Sequence, residues 1–220
     1  MPQSQIKYIA IEGVIGAGKT TLAKMLAKKM NANLVLESYE DNPFLEKFYK
    51  NPRRYALHTQ MYFLMSRYKQ LLELRQDDLF HEYMVADYIF EKDKIFAYLN
   101  LADDELELYE RMVSFIERNL KKPDLVIYLQ STVERLMANI NKRGRAAEKN
   151  MSETYISDLN EAYNYFFFRF KASRVMIVNA TEMDFVNNEN DFNDLIAEIL
   201  KPEHGNIEYF NPSIKKAAGR

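Results

Sequence analysis

Eight residues, Gly13-Val14-Ile15-Gly16-Ala17-Gly18-Lys19-Thr20, carry the most explicit chemistry in this chain. Two glycines five apart, followed by lysine and threonine, match the pattern that cradles phosphate groups. Gly13 and Gly18 let the backbone approach anionic oxygens without Cβ clashes, so that successive N–H groups can point inward. Lys19 supplies a mobile positive charge for the outer phosphates, and the Thr20 hydroxyl is a ligand for Mg²⁺. Other groups could complete a phosphoryl-transfer site. Such chemistry needs a base near the attacking hydroxyl, and Glu37 follows a short apolar run. Asp87 ends another such run, where a carboxylate beside a phosphate loop makes a direct or water-mediated Mg²⁺ contact. Gln60 and Arg67 stand seven apart, two helical turns along nearly one face and roughly 10 Å apart axially. They could grip the edge of a planar base, although by pattern alone a solvated pair is the simpler reading. Lys142-Arg143-Gly144-Arg145 is a local basic cluster. Its arginines could close over transferring phosphates, or merely complement a helix macrodipole.

These groups need elements that bring them together. Tyr8–Ile11 is an apolar run suited to a buried strand directly before the loop. After the loop, Leu22, Leu26 and Met30 recur every four residues, which predicts an amphipathic helix whose positive N-terminal end faces the loop. Further strands are expected at Asn33–Leu36, Tyr83–Ala86, Leu125–Leu129 and Arg174–Val178. In an open parallel sheet ligands bind beyond the carboxyl ends of the strands, which places Glu37 on the rim shared with the loop. Asn51-Pro52 reads as a cap and first helical residue. From there to about Asp77, Met61, Leu64, Met65, Tyr68, Leu71 and Leu72 form an apolar face. A second amphipathic helix runs between about Asp103 and Leu120. Ser131 or Thr132 can cap the helix that leads to the basic cluster. Tyr155, Leu159, Tyr163, Phe166 and Phe170 mark an aromatic helix that reads as core, and Asp191–Leu200 the last helix. The expected fold is α/β: a five-stranded parallel sheet, helices on both faces, and an arginine-containing lid. Residues 1–201 would form this domain, and 202–220, which lack a clear period, a C-terminal tail.

Composition narrows the class. Of the 220 residues, 47% are apolar and 28% charged, ordinary for a globular domain of this size. A net charge of -2 argues against a surface built for nonspecific nucleic-acid binding. The absence of cysteine excludes disulfides, thiolate metal sites and cysteine nucleophiles. No cleavable hydrophobic leader and no apolar run of about 18 residues is present, so a cytoplasmic protein without a membrane span is expected.

Taken together, the stretch from Ile9 to about Leu200 resembles the deoxynucleoside kinases, and within them the bacterial enzymes acting on deoxyguanosine and deoxyadenosine. The residues that carry the resemblance are Gly13–Thr20, Glu37 with Asp41-Asn-Pro-Phe44, Tyr49, Gln60 with Arg67, Asp87, and Arg143-Gly-Arg145 with Glu148. It implies transfer of the ATP γ-phosphoryl group, with Mg²⁺, to the 5′-hydroxyl of a purine deoxynucleoside in nucleotide salvage. It also implies roles. Glu37 is the general base; Gln60, Arg67 and Asp93 read the nucleobase; Tyr49 and Glu148 hold the sugar 3′-hydroxyl. Arg143 and Arg145 contact phosphates, Asn190-Asp191-Phe192 packs on the donor adenine, and the helices near 55–75 and 105–120 form a homodimer. Two departures stand out: Tyr88 and Asn139 occupy positions where many members carry arginine. They leave fewer cations for the phosphates, so Arg67, Arg143 and Arg145 are expected to carry a larger share.

Alternatives remain open at this point. Broader specificity that includes deoxycytidine is one, and a kinase of nucleoside monophosphates or another small metabolite is a second. A nucleotide-binding switch without catalysis is a third, against which the conjunction of Glu37 and an arginine lid argues.

Overall fold

The computed structural model describes residues 6–73, 80–145, 148, 151–181 and 183–212. Its centre is β1 (Tyr8–Gly13), whose six residues are all buried. With β2 (Asn33–Val35), β3 (Met84–Ala86), β4 (Leu125–Gln130), β5 (Arg174–Asn179) and β6 (Ile207–Phe210) it forms one parallel sheet in the order β2-β3-β1-β4-β5-β6. Strands buried on both faces must be apolar throughout, which is why Leu-Val-Ile-Tyr-Leu in β4 and Val-Met-Ile-Val in β5 do not alternate. Winding runs from β1 to one side through β2 and β3, then crosses to β4. The switch point therefore falls at the carboxyl end of β1, where the phosphate loop begins. Register aligns Val35, Ala86 and Ala10 across three neighbours. The residues just after them (Glu37, Asp87 and the loop) consequently share one rim.

Helices cover the sheet: α1 (Lys19–Met30), α2 (Leu45–Lys50), α3 (Pro52–Glu73), α4 (Lys92–Asn100), α5 (Asp103–Ile116), α6 (Val133–Arg143), α7 (Glu153–Arg169) and α8 (Glu189–Ile199). In α1 the buried residues Leu22, Ala23, Leu26 and Ala27 face the sheet, as the four-residue recurrence predicts. The aromatic helix is α7 and is core: Phe167 stacks on Tyr128 of β4 at 4.3 Å, with Tyr163 beside them. Thr132 caps α6 by accepting a hydrogen bond from the Arg135 N–H.

Two expectations need correction. The sheet has six strands, not five, because β6 comes from the stretch read as a tail. It pairs with β5 in the register Val175↔Ile207, and His204 fastens it, meeting the Glu208 carboxylate at 2.9 Å and the Ile199 carbonyl at 3.0 Å. Four residues on a sheet edge with only Phe210 buried give no periodicity to detect. The second concerns α3. Its buried face holds Ala56, Thr59, Gln60, Leu64, Arg67 and Leu71, while Met65 from the presumed apolar face is half exposed. The polar pair points inward, and only a polar interior feature explains that.

Because β6 is part of the fold, Phe210→Ala should cost stability. Removing a buried phenyl ring is worth about 3 kcal/mol, read as a lower urea midpoint. An unchanged midpoint would mean that 202–212 is a dispensable tail after all.

Candidate active site

The phosphate loop is held from behind by α6. Gly16 adopts φ +89°, and a Cβ there would sit 2.7 Å from the Leu136 carbonyl oxygen, so glycine is required on both counts. Asn139 donates from Nδ2 to the Gly16 carbonyl at 2.8 Å. Of the loop, Ile15, Gly16, Gly18, Lys19 and Thr20 line a cavity of about 590 Å³. Val14 and Ala17 are buried behind it, with the Ala17 N–H donating to Val14 O. Lys19 folds back over the loop, its Nζ donating to the carbonyls of Gly13 (2.6 Å) and Val14 (3.1 Å). Burial lowers its pKa to about 8, and the neighbouring Lys92 pushes the same way.

Carboxylates at the strand ends connect the loop to the rest of the cavity. Asp87 accepts from the Thr20 hydroxyl at 2.6 Å on one oxygen and from the Glu37 N–H at 2.8 Å on the other. Glu37 is gripped in turn. Its Oε1 accepts from Arg67 Nε (2.8 Å) and Nη2 (2.5 Å), and its Oε2 from Lys92 Nζ (2.6 Å). Burial alone would raise the Glu37 carboxyl, but Lys92 and Arg67 outweigh it and hold the group well below the usual carboxylate range. Behind them lies Glu12, fully buried in β1, which accepts from the N–H groups of Gly13 (3.0 Å) and Ile89 (2.9 Å). Burial pushes its carboxyl up, opposed by Lys92 and Lys19.

The far wall is built by α3 and α4. Gln60 and Arg67 line the cavity although each is at least 95% buried. Gln60 donates from Nε2 to the Asp93 carbonyl at 2.6 Å. Arg67 pairs through Nη1 with the Asp93 carboxylate, which also accepts from Tyr109 OH at 2.9 Å. Asp93, expected in a charged turn, is in the first turn of α4 and sits behind Arg67 rather than on the cavity wall. Tyr88 is fully buried and donates to Gln70 at 2.6 Å, away from the loop. Tyr49, Tyr155 and Phe96 complete the apolar part of the wall.

At the mouth, α6 ends at Arg143, Gly144 turns the chain at φ +65°, and Arg145 follows. Arg143 Nη2 lies 2.7 Å from both oxygens of Glu148; Arg145 is 3.6 Å from Glu148 and stacks 4.2 Å over the Tyr39 ring. Arg143, Arg145, Glu148 and Tyr49 thus meet at one cavity with the loop and Glu37. Asp191 and Phe192 do not: they lie in the first turns of α8, outside the cavity, and it is Phe185 that contacts the loop at Gly18. Glu12 and Lys92 belong to no motif in the sequence. Glu12 carried a signal, an acid inside an apolar strand, whereas Lys92 is hidden in the charge run Glu91-Lys-Asp-Lys94.

A parallel sheet whose first strand feeds a phosphate loop, with a strand-end carboxylate hydrogen-bonded to the loop threonine and a lid of arginines, defines a P-loop phosphotransferase. The chain belongs to the deoxynucleoside kinase family, whose model matches residues 9–202. It is 36% identical over 197 residues to the deoxyguanosine kinase of Bacillus subtilis, spanning 87% of this chain and 95% of the relative. The deoxyadenosine/deoxycytidine kinase of the same organism is 30% identical over 218 residues, spanning 94% and 96%. A solved deoxyadenosine kinase from M. mycoides with bound dATP superposes with a TM-score of 0.78 at 26% identity, covering 88% of this chain and 100% of that one. The chain is accordingly a deoxynucleoside kinase.

Members of this family take their phosphoryl group from ATP, and Lys19 is expected to make ATP binding pH-dependent. With its pKa lowered to about 8 in the free protein, Lys19 is already protonated below that pH and affinity is flat. Bound phosphates favour the charged form and raise the pKa, so above pH 8 binding takes up a proton. Affinity should then fall by up to about tenfold per pH unit. Calorimetry of ATP binding in buffers of different ionisation enthalpy measures both quantities. Proton uptake should vanish in Lys19→Met; uptake that persists there assigns the effect to another group.

Proposed function

We propose that the chain transfers the γ-phosphoryl group of ATP to the 5′-hydroxyl of purine deoxynucleosides, deoxyadenosine and deoxyguanosine, as a step of nucleotide salvage. The observation that carries this reading is one cavity backed by hydrogen bonds that run without a break from Thr20 through Asp87, Glu37 and Arg67 to Asp93 and Gln60. Phosphate chemistry is supported at one end of that chain and recognition of a polar planar ring at the other. In the reaction the 5′-oxygen bonds to the γ-phosphorus while the bond from that phosphorus to the β–γ bridging oxygen breaks. The electron pair leaves with ADP and the hydroxyl proton goes to Glu37. Lys19, Arg143 and Arg145 stabilise charge on the equatorial oxygens, since positioning and electrostatics supply nearly all the catalysis in this class.

Magnesium fits the residues present. Thr20 and Asp87 offer hard oxygen donors 2.6 Å apart beside the loop. Mg²⁺ takes one or two protein ligands and fills its shell from phosphates and water, so the lack of a three-residue cage among the described residues is in keeping with it. When bound, it neutralises charge on the nucleotide phosphates.

Tyr49 and Glu148 hold the sugar, and Tyr49 leaves little room for a ribose 2′-hydroxyl. Gln60 offers both a donor and an acceptor and Arg67 donors, a combination suited to a purine edge. The names of the B. subtilis deoxyguanosine kinase and the M. mycoides deoxyadenosine kinase support the purine assignment. Broader use of deoxycytidine is the second reading, favoured by the name of the other B. subtilis relative. With ATP as co-substrate the chain works in the cytoplasm; no described helix is long and apolar enough to cross a membrane. A side-by-side panel of deoxyadenosine, deoxyguanosine, deoxycytidine and thymidine in an ADP-release assay tests the assignment. The two purines should lead, and thymidine as best substrate would sink it. In Glu37→Gln, turnover should drop by about 10²- to 10⁴-fold with ATP affinity retained.

The assembly is a homodimer through α3 and α5. On α5, Leu108, Met112 and Phe115 form a solvent-facing stripe beside the buried Tyr109 and Val113, and Met65 of the adjoining α3 is also exposed. An apolar stripe of this spacing on paired helices supports helix–helix packing between copies. Phe115→Glu should convert the dimer to a monomer in sedimentation, and a wild-type monomer at assay concentration overturns the proposal.

A further inference from the structure

The cavity holds more cations than the phosphate loop and lid account for. Lys92 projects from the first turn of α4, its side chain only 7% exposed, and lines the same cavity as Lys19 and Thr20. The positive end of a helix macrodipole and the loss of hydration both disfavour an ammonium there, so what holds it matters. It donates to Glu37 Oε2 at 2.6 Å and lies over the Phe96 ring, 5.9 Å from its centroid. Glu37 does not depend on that contact for orientation, because two nitrogens of Arg67 already fix Oε1.

The other cations are less able to move. Arg67 is tied on three nitrogens to Glu37 and Asp93. Arg143 and Arg145 belong to the mouth, bound to Glu148 and Tyr39. Lys92 is different: a flexible four-carbon stem carries a point charge with three donors, one of which meets Glu37. Lys19 and Lys92 lie close enough for each other's charge to matter: the Lys19 pKa, lowered chiefly by burial, is lowered further by Lys92. Two ammonium groups facing one cavity suit an anion bound between them.

We propose that Lys92 is a further catalytic residue, which shifts from Glu37 to the transferring phosphoryl group when the nucleotide and acceptor are both bound. In that position it stabilises the charge on the equatorial oxygens as the 5′-oxygen–phosphorus bond forms and the bond to the ADP oxygen breaks. Its departure removes one of the two cations that hold Glu37 at low basicity, so the carboxylate gains proton affinity as the 5′-hydroxyl proton is released to it. The charge that a phosphate-facing arginine at position 88 would have supplied thus comes from four residues later, at the start of α4. Tyr88 is buried against Gln70 and cannot supply it.

This inference rests on the kinase reading above, and wild-type turnover of the nucleoside panel is measured first. No turnover of any nucleoside defeats that reading itself. With wild-type activity in hand, Lys92→Met should lower kcat by about 10²- to 10³-fold, with the nucleoside KM and ATP Kd within about threefold. Lys92→Arg should recover kcat to within about tenfold of wild type. A kcat for Lys92→Met within threefold of wild type, or a defect confined to KM, overturns the proposal. The unmodified protein offers a second test that does not depend on a variant folding. In a crystal structure with nucleoside, ADP, Mg²⁺ and aluminium fluoride, Lys92 Nζ should lie about 3 Å from a fluoride. Lys92 still seated on Glu37 in that complex overturns the proposal equally.

Discussion

Balancing charge in a place that excludes water constrains everything else in this molecule. Glu12, Glu37, Asp87 and Asp93 meet Lys19, Arg67 and Lys92 within one connected region at the carboxyl end of the sheet. An unpaired charge at such depth costs several kcal/mol, and removing one partner of a buried pair typically costs about 3–5 kcal/mol. The fold therefore has to deliver these groups together. Glu12, Glu37 and Asp87 come from within or just beyond strands, where register fixes their spacing, and Asp93 and the cations come from helices that cross the rim. The network also explains why polar residues of α3 face inward while a methionine faces solvent.

The contacts that stabilise the site also prepare it for substrate. Groups fixed before the substrate arrives need little reorganisation during transfer, the main source of electrostatic catalysis. Asp87 shows the economy of the arrangement, since one carboxylate orients the Thr20 hydroxyl and the Glu37 backbone at once. The lid is held less deeply. Arg143 and Arg145 are each about a third exposed and bound to Glu148, the carboxylate proposed above to hold the sugar. On that proposal a sugar hydroxyl arriving at Glu148 would compete with the arginine contacts, linking occupation of the acceptor site to release of the lid cations.

Much of this was legible in the sequence. The loop, the helix after it and the first five strands follow from spacing and apolar runs, because each reflects a local rule. Residues near the strand ends, Glu37 and Asp87, were legible through topology, since a parallel sheet presents its carboxyl ends to ligands. β6 was not legible, being a short edge strand whose stability comes from β5 and from His204. Nor was the burial of Gln60 and Arg67, which apolar periodicity argues against. Their inward orientation depends on Asp93 and Tyr109, more than 25 residues away in the chain. The position of Asp93 behind the cavity wall likewise follows from packing that no local pattern encodes.

The two arginine positions occupied by Tyr88 and Asn139 show why motif comparison understates such a site. Compared along the chain, both are losses of positive charge. In space neither leaves a gap. Asn139 secures the loop through the Gly16 carbonyl, a task for which an amide donor suffices. Tyr88 packs into the layer between α3 and β2, its hydroxyl on Gln70, which itself donates to Leu36. Lys92 enters the space beside Glu37 from the following helix. A motif records which position supplies a charge, whereas the field at the phosphate depends only on where that charge ends up. Four residues along the chain, from the loop after β3 to the start of α4, are enough to change the position and keep the field.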